Sequence, residues 1–338
     1  MDGNLNEVCR GVKITCSWTD FSSNHMQQSH PFDIVGFGVA TLDVIAEVEQ
    51  FPASGGKTKI LSREFHGGGL TATALVAASK LGASCWYGGA MGENDTSHQV
   101  RRILTGYGIA LPAVSPYPPT AEPFAATVYL EKNTGERTIL WSEFLTPPPI
   151  LNQEAVETAL AAKCLFADQF FAETLNPLYR QARSRKIPIV GDFEFVSSHD
   201  EEEALTLIDH LIIPWSFARV RGKTDDPATA VRTLLETQGN TVLVVTDGTN
   251  GAWYASQDDQ TVRHCKAFDV QVCDTTGCGD VFHGAYAAAL VFGKSLDERV
   301  RYASAAAALK ATKKGGQTGA PTEKELNEFL EECPEGKT

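Results

Sequence analysis

Residues 272–285 read VCDTTGCGDVFHGA and predict the end of a strand, a turn that contains glycine and the start of a helix. Gly277 and Gly279 allow the backbone to turn tightly and place no side chain in the way of a ligand. The unpaired N–H groups at the start of such a helix, together with the helix dipole, attract an anion. We therefore predict that Gly277, Cys278 and Gly279 hold a phosphate group during its transfer.

Asp280 stands inside this turn, where its negative charge would repel a bound phosphate unless it has a chemical task. Phosphoryl transfer requires a positioned acceptor and stabilised charge, and a carboxylate that accepts the proton of the acceptor hydroxyl completes the set. The alternative is an aspartate that only complements the helix dipole. We take Asp280 as the candidate catalytic base.

Upstream of this turn, short apolar runs alternate with helical patterns. The apolar runs cover residues 33–36, 164–168, 187–192, 210–213 and 241–246. The helical patterns cover residues 70–81, 94–107, 153–162, 174–185, 201–208 and 227–238. This alternation predicts an α/β fold with a doubly wound, mostly parallel sheet and helices on both faces.

Two stretches interrupt the alternation. Residues 57–66 and 124–142 are too polar for buried parallel strands and predict half-exposed antiparallel ribbons. We interpret them as a small sheet that stands beside the main one. The alternative is that they form edge strands of the central sheet.

The composition excludes several classes of protein. A formal net charge of −13 argues against nucleic acid as the main partner, because phosphate backbones are bound by clustered Lys and Arg. No run of 18 apolar residues occurs, so we expect no membrane span. The eight cysteines form no C-x-x-C pair, which indicates reduced thiols in the cytoplasm. Residues 1–31 lack the apolar core of a signal peptide and are expected to form a flexible extension before a single domain at 32–338.

The sequence DTTGCGD at residues 274–280, with Phe282 and Gly284 after it, resembles the C-terminal signature of the ribokinase/PfkB carbohydrate kinases. Other similarities extend the resemblance over about residues 32–322. It implies a ribokinase-like three-layer fold, with a small β-sheet lid formed by segments at about 44–66 and 124–142. It also implies transfer of phosphate from ATP to a sugar, with Asp280 as the base.

The resemblance also implies cofactors. ATP and Mg²⁺ are expected, and Asp274, Thr276 and Gly316 are implied to help hold a monovalent cation such as K⁺. The family's frequent N-x-x-E motif should fall near residues 213–216, where the sequence has no Glu. We therefore expect Mg²⁺ to be carried mainly by the nucleotide.

The sugar site is implied by the N-terminal part of the chain. Gly67, Gly68 and Gly69 are similar to the glycines that open a helix beside the sugar, although a flexible loop is the alternative. Thr71 stands where the family usually has Asn and is assigned a sugar contact. Asp43 corresponds to an aspartate that binds sugar hydroxyls, which suits a carboxylate acceptor; the alternative is a turn or capping residue.

The nucleotide site is implied by two weaker similarities. Thr246, Gly248 and Gly251 lie in a segment that resembles the strand-end loop around the nucleotide. Ala307 and Lys310 lie in a segment that resembles the stretch closing over adenine and the cation.

Two other nucleotide-binding motifs are excluded because the sequence lacks a glycine at a required position. Residues 55–58 (GGKT) imitate the end of a Walker A loop, but Phe51 occupies the position of its first glycine. Gly36 and Gly38 could begin a dinucleotide fingerprint, but Thr41 replaces the third glycine and no long helix follows. A kinase-like protein that only binds ligands is a further alternative, which the presence of Asp280 with both flanking glycines disfavours.

The motifs are most similar to those of the fructokinase, ketohexokinase and sulfofructose kinase side of the family, so a ketose is the first expectation. Ribokinase-type or nucleoside kinase activity is the alternative. Lys57 stands where sulfofructose kinases bind a sulfonate, but a solvated lysine is the simpler interpretation. Trp141 and Phe170 replace the other sulfonate ligands and favour stacking on a sugar. A homodimer through the edge of the lid is also expected.

Overall fold

The computed structural model describes residues 30–113, 115, 117–133, 136–142 and 151–333. The extension expected at residues 1–31 therefore lies almost entirely outside the described residues. No helix within these ranges is both long and apolar enough to span a membrane.

The described strands are Ile34–Phe37 (β1), Thr41–Val48 (β2), Ile60–Gly68 (β3), Cys85–Tyr87 (β4), Phe124–Glu131 (β5), Arg137–Ser142 (β6), Cys164–Asp168 (β7), Ile189–Asp192 (β8), His210–Pro214 (β9), Val242–Thr246 (β10), Ala252–Ser256 (β11) and Arg263–Cys265 (β12). The described helices are Leu70–Lys80 (α1), Asp95–Gly106 (α2), Gln153–Leu160 (α3), Ala172–Ser184 (α4), His199–Leu207 (α5), Trp215–Gly222 (α6), Pro227–Gln238 (α7), Cys278–Val291 (α8), Leu296–Ala311 (α9), Gly316–Gly319 (α10) and Glu323–Glu332 (α11).

The main sheet has eight strands in the order β12-β11-β10-β9-β8-β7-β1-β4. The strands from β10 to β4 are parallel, and β11 and β12 add an antiparallel edge. Central strands such as β10 are buried on both faces, which explains their continuous apolar sequence. The predicted doubly wound, mostly parallel sheet is confirmed.

Helices cover both faces of the main sheet. One hydrophobic core lies between the sheet and the group that contains α1, α8 and α9. A second core lies between the opposite face and the group from α3 to α7. Gly284 brings α8 close to α1, because a Cβ at this position would lie 2.0 Å from the carbonyl oxygen of Ala74. The close crossing fixes the second turn of α8 relative to the second turn of α1.

A separate sheet of four strands has the order β3-β2-β5-β6. Strands β2 and β5 are parallel, and the outer pairs are antiparallel. The interpretation as a small lid sheet is confirmed, and the alternative of edge strands in the central sheet is wrong. The sheet includes all of β2, so Asp43 lies inside a strand and is neither a turn residue nor a helix cap.

Candidate active site

Helix α8 begins at the turn that the sequence singled out. Gly277 precedes the helix in the left-handed conformation, with φ 76°, and provides no side-chain acceptor for the amides of the first turn. Helices α5, α9 and α11, by contrast, each begin with a complete capping box. The Cys278 amide donates to the carbonyl oxygen of Thr275 (3.2 Å). Since no side chain caps the turn, the amides of Gly277 and Gly279 can be offered to an anion, as a cradle requires. We call the first turn of α8, from Gly277 to Asp280, the cradle.

Asp274 holds the turn that leads into the cradle. Its carboxylate accepts hydrogen bonds from the amides of Thr276 (2.9 Å) and Gly315 (2.8 Å). Burial alone would raise the pKa of Asp274, but these amides and the Lys310 ammonium outweigh it and hold the pKa below its ordinary value. An ionised Asp274 thus ties the 274–277 turn to the loop after α9.

Gly277 packs directly against that loop. A Cβ at position 277 would lie 2.7 Å from the Cα atom of Gly316. Gly316 itself begins α10 and lies beside the carbonyl oxygen of Thr276. The structure thus brings Asp274, Thr276, Gly277 and Gly316 together.

Asp280 occupies the third position of α8 and is half-buried. Its pKa is raised well above the ordinary value, first by burial and then by the nearby negative charge of Asp192. Glu194 and Asp168 act in the same direction, while His283 opposes them. A carboxylate with a raised pKa is a stronger base once it is ionised, which suits removal of a proton from a hydroxyl.

Beneath Asp280, His283 connects α8 to the main sheet. Its Nδ1 atom lies 2.8 Å from the carbonyl oxygen of Gly279, and its Nε2 atom lies 3.1 Å from that of Ile212. Asp192 at the end of β8 lies 3.3 Å from the same Nε2 atom. Burial lowers the pKa of His283, although these carbonyl oxygens favour its charged form. The ring thus ties α8 to the carboxyl end of β8 and to the middle of β9.

Asp168 at the end of β7 is a positioning residue that the sequence analysis did not assign. It pairs in register with Asp192, and its carboxylate accepts from the Val39 amide (2.7 Å), the Thr71 hydroxyl (2.8 Å) and the Phe170 amide (3.0 Å). Burial raises its pKa to about 6 despite these donors. An acidic residue directly after an apolar strand was the available signal for both Asp168 and Asp192.

A cavity of about 490 Å³ opens beside the cradle. Its lining includes four of the five residues implied to bind the nucleotide, which are Thr246, Gly248, Gly251 and Ala307. Cys278 and Gly279 of the cradle also line it. Phe268 and Phe282 add aromatic surface, and Thr249, Thr275 and Ser304 add hydroxyl groups. A mostly apolar cleft with a few polar groups matches the general character of small-molecule sites.

Asp43 lies in strand β2 of the lid sheet. In the backbone register it pairs with His66 of β3 and with Ala126 of β5, and Ala126 pairs in turn with Trp141 of β6. Burial raises the pKa of Asp43, and the Thr41 hydroxyl and His66 oppose this shift. For Trp141 the structure describes the backbone position in β6.

The first two glycines of the 67–69 run belong to strand β3, so the flexible-loop interpretation is wrong for them. A Cβ at Gly67 would lie 2.3 Å from Oε1 of Gln317, and one at Gly68 would lie 3.0 Å from Oδ2 of Asp43. Gly69 precedes α1 with φ 93°. Gly67 thus lets strand β3, which pairs with the strand of Asp43, approach α10, which begins at Gly316 next to the cradle.

Two site predictions, Thr71 and Lys310, fall away from the cleft surface. Thr71 is fully buried and donates to Asp168, so its hydroxyl supports the sheet end and does not face a sugar. Lys57 is exposed in the loop between β2 and β3. Lys310 is fully buried, and its ammonium donates to the carbonyl oxygen of Asp274 (2.6 Å), outside the lining of the nucleotide cavity.

Comparisons with known proteins agree on one family. A profile described as pfkB family carbohydrate kinase matches residues 32–323. The chain is 26% identical to ribokinase of Bacillus subtilis, over 88% of this chain and 99% of that protein. It is 27% identical to fructokinase-1 of rice (Oryza sativa subsp. japonica), over 78% of this chain and 88% of that protein.

The fold is also that of a solved kinase complex. The structure of Arabidopsis thaliana ribokinase complexed with ribose and ATP superposes with a TM-score of 0.77. The alignment covers 88% of this chain and 98% of the Arabidopsis chain at 22% identity.

Proposed function

Since the chain belongs to the pfkB family of carbohydrate kinases, we propose that it transfers the γ-phosphate of ATP to a hydroxyl group of a small sugar with Asp280 as the base. The observation that carries this assignment is the position of Asp280. It lies in the amide cradle at the edge of the cavity that contains Thr246, Gly248 and Gly251, and its pKa is raised. We further propose that residues 32–338 work as one kinase domain.

The proposed reaction uses the cradle and the base together. The acceptor hydroxyl loses its proton to the Asp280 carboxylate while its oxygen bonds to the γ-phosphorus. The bond from that phosphorus to the β–γ bridging oxygen breaks, and ADP leaves with the electron pair. The amides of Gly277 and Gly279 stabilise the charge on the transferred group. The Cys278 amide, which was predicted to act with them, joins them only by leaving the carbonyl oxygen of Thr275.

Mg²⁺ is compatible with the residues present. When bound, the ion neutralises charge on the ATP phosphates, and it needs only one or two protein carboxylates because phosphates and water supply its other ligands. Asp192 and Glu194 lie close enough to Asp280 to raise its pKa, so they are the carboxylates available for this purpose. Within the described ranges, no three His, Cys, Asp or Glu side chains form a metal site of their own.

The proposed acceptor is a ketose such as fructose, with Asp43 as the hydroxyl acceptor in the lid and Gly67, Gly68, Trp141 and Lys57 in its surroundings. Relatives named for ribose and for fructose match the chain at similar identity, 26% and 27%. The sugar therefore has to be decided by comparison of substrates.

Sugar-dependent formation of ADP will test the function. We expect the highest kcat/KM with fructose or a fructose derivative in a panel of fructose, fructose 1-phosphate, fructose 6-phosphate, ribose, sulfofructose and adenosine. A highest value with adenosine or ribose would overturn the ketose assignment. The absence of turnover with every sugar, despite ATP binding, would favour a catalytically silent binding protein.

The outer face of the lid supports a second proposal, a homodimer. Phe65 and Leu140 are 44% and 55% exposed, and they line an open groove of about 450 Å³ between the lid and α2. Apolar surface of this kind favours association, and a symmetric pair of lids would cover both copies of it.

We expect light scattering to give a mass of twice 36.5 kDa for the wild type. Phe65→Ser combined with Leu140→Ser should shift the mass to that of one chain, because the buried apolar contacts are lost. Phe292→Ser is the control, since Phe292 is also 44% exposed but lies at the end of α8, away from the lid. A monomeric wild type, or dissociation by the control alone, would contradict the dimer.

We also propose a cytoplasmic location. Cys85 on the edge strand β4 and Cys164 on β7 are buried free thiols, as expected in a reducing compartment.

A further inference from the structure

Lys310 is a buried charge at the base of the cradle. It lies on α9 with a side chain that is 0% exposed. Its ammonium donates to the carbonyl oxygens of Asp274 (2.6 Å) and Lys313 (3.1 Å), and the Oδ2 atom of Asp274 lies 3.8 Å away. Buried charges persist in proteins when oxygen partners surround them. Here two carbonyl oxygens accept hydrogen bonds from the ammonium group, and the Asp274 carboxylate supplies the opposite charge nearby.

The surrounding backbone is shaped around this side chain. Gly319 on α10 faces the lysine stem, and a Cβ at this position would lie 3.1 Å from the Cε atom of Lys310. The same Cβ would lie 3.3 Å from the carbonyl oxygen of Lys313. A glycine at 319 therefore leaves room for the ammonium to reach its acceptors.

This arrangement does not fit the K⁺ ion that the family resemblance implies. Asp274, Thr276 and Gly316 were implied to help hold the ion, but the carboxylate and carbonyl of Asp274 already serve the Lys310 ammonium. A second positive charge among the same oxygens would be repelled by the first at a distance of a few ångströms.

We propose that the Lys310 ammonium is a built-in cation, which takes the place of a dissociable monovalent ion and holds the cradle in its binding conformation. Asp274 couples Lys310 to the cradle. Its carboxylate fixes the amides of Thr276 and Gly315. These two residues flank the contact between Gly277 and Gly316. Lys310 is thus a positioning residue that touches neither sugar nor nucleotide. The assignment of the cradle to phosphate rests on the proposed function.

The first test uses the wild-type protein. ADP affinity is measured by calorimetry in KCl, NaCl and tetramethylammonium chloride at constant ionic strength, which keeps the screening of charges equal. We expect the affinities in the three salts to agree within about twofold. Where turnover is found, we expect the same of kcat/KM. An increase of about tenfold or more in either quantity with K⁺ would overturn the proposal. ADP binding needs no sugar, so this result stands even if the proposed acceptor is wrong.

The second test replaces the cation. Lys310→Ala should weaken ADP binding about 10- to 100-fold in tetramethylammonium chloride, the range typical for residues that support a binding group indirectly. Added K⁺ or ethylammonium should restore much of the affinity, because the variant leaves a cavity lined by the same oxygens. Lys310→Met fills that space with an uncharged side chain and should respond to neither ion.

Lys314→Ala is the matched control, since Lys314 is exposed in the same loop. We expect it to bind ADP like the wild type in every salt. A Lys310→Ala protein that binds ADP normally without K⁺, or that ignores both added ions, would overturn the proposal. If Lys310→Ala does not fold by circular dichroism, the wild-type salt series decides the question.

Discussion

Asp280→Asn is expected to lower kcat about 10²- to 10⁴-fold, the contribution typical of a general base, with little change in KM for ATP or sugar. Asparagine has nearly the same shape but cannot take the proton of the acceptor hydroxyl. Sugar-dependent ADP formation at saturating ATP will measure the effect.

The pH dependence of kcat/KM, measured for the wild type and for Asp280→Asn, tests whether Asp280 acts as the base. Only ionised Asp280 accepts a proton, and its pKa is raised by burial and by Asp192. The wild-type kcat/KM should therefore fall as the pH is lowered through a pKa well above that of an ordinary aspartate. Asp280→Asn should lose this acidic limb.

Stability provides an independent check that the variant is folded. A carboxylate whose pKa is higher in the folded than in the unfolded state destabilises the fold above the folded pKa, and this penalty disappears below the unfolded pKa. Asp280→Asn should therefore raise Tm at pH 8 and leave it nearly unchanged near pH 4.

Asp258→Asn makes the same chemical change at an exposed aspartate outside the site, and we expect wild-type activity from it. Retention of kcat in Asp280→Asn would contradict the role of the base.

Gly277→Ala is expected to reduce kcat/KM about 10²- to 10³-fold, the cost of losing a donor to the developing charge. The added Cβ would lie 2.7 Å from Gly316 Cα, so the turn has to move and the cradle amides move with it. Initial rates at varied ATP and sugar will separate this loss from ordinary destabilisation.

Gly293→Ala is a close control. Gly293 also has φ 76°, but no atom lies within 4 Å of its missing Cβ. Both substitutions carry about 1–2 kcal/mol of left-handed backbone strain. Only Gly277→Ala should lose activity, and equal losses in the two variants would show that the cradle geometry is not the cause.

Sequence patterns identified most long elements of the fold. The helix predicted at 227–238 is observed as Pro227–Gln238, because Asp226 caps it and Pro227 opens it. Strands β4 and β12 were not predicted, since each has three residues and no measurable alternation. Helix α6 was missed because it starts directly after Pro214 without a capping side chain.

The site was predictable where chemistry is local in sequence. The glycine turn and Asp280 are adjacent, so their joint purpose can be recognised from seven residues. Lys310 was misassigned because an alanine-rich helix gives no sign of which face is buried. Its acceptor, the Asp274 carbonyl, lies 36 residues earlier in the chain. Thr71 was likewise interpreted as a surface contact, since its acceptor Asp168 is 97 residues away.

Two of the connections between the lid and the body are very short. Three residues separate β1 from β2, and Gly69 alone separates β3 from α1. A hinge of this length cannot swing freely, so any rotation of the lid must twist the backbone at Gly69 and pull on the first turn of α1. Since α1 crosses α8 at Gly284, we expect a rotation of the lid sheet, which includes Asp43, to be transmitted to the helix that carries Asp280.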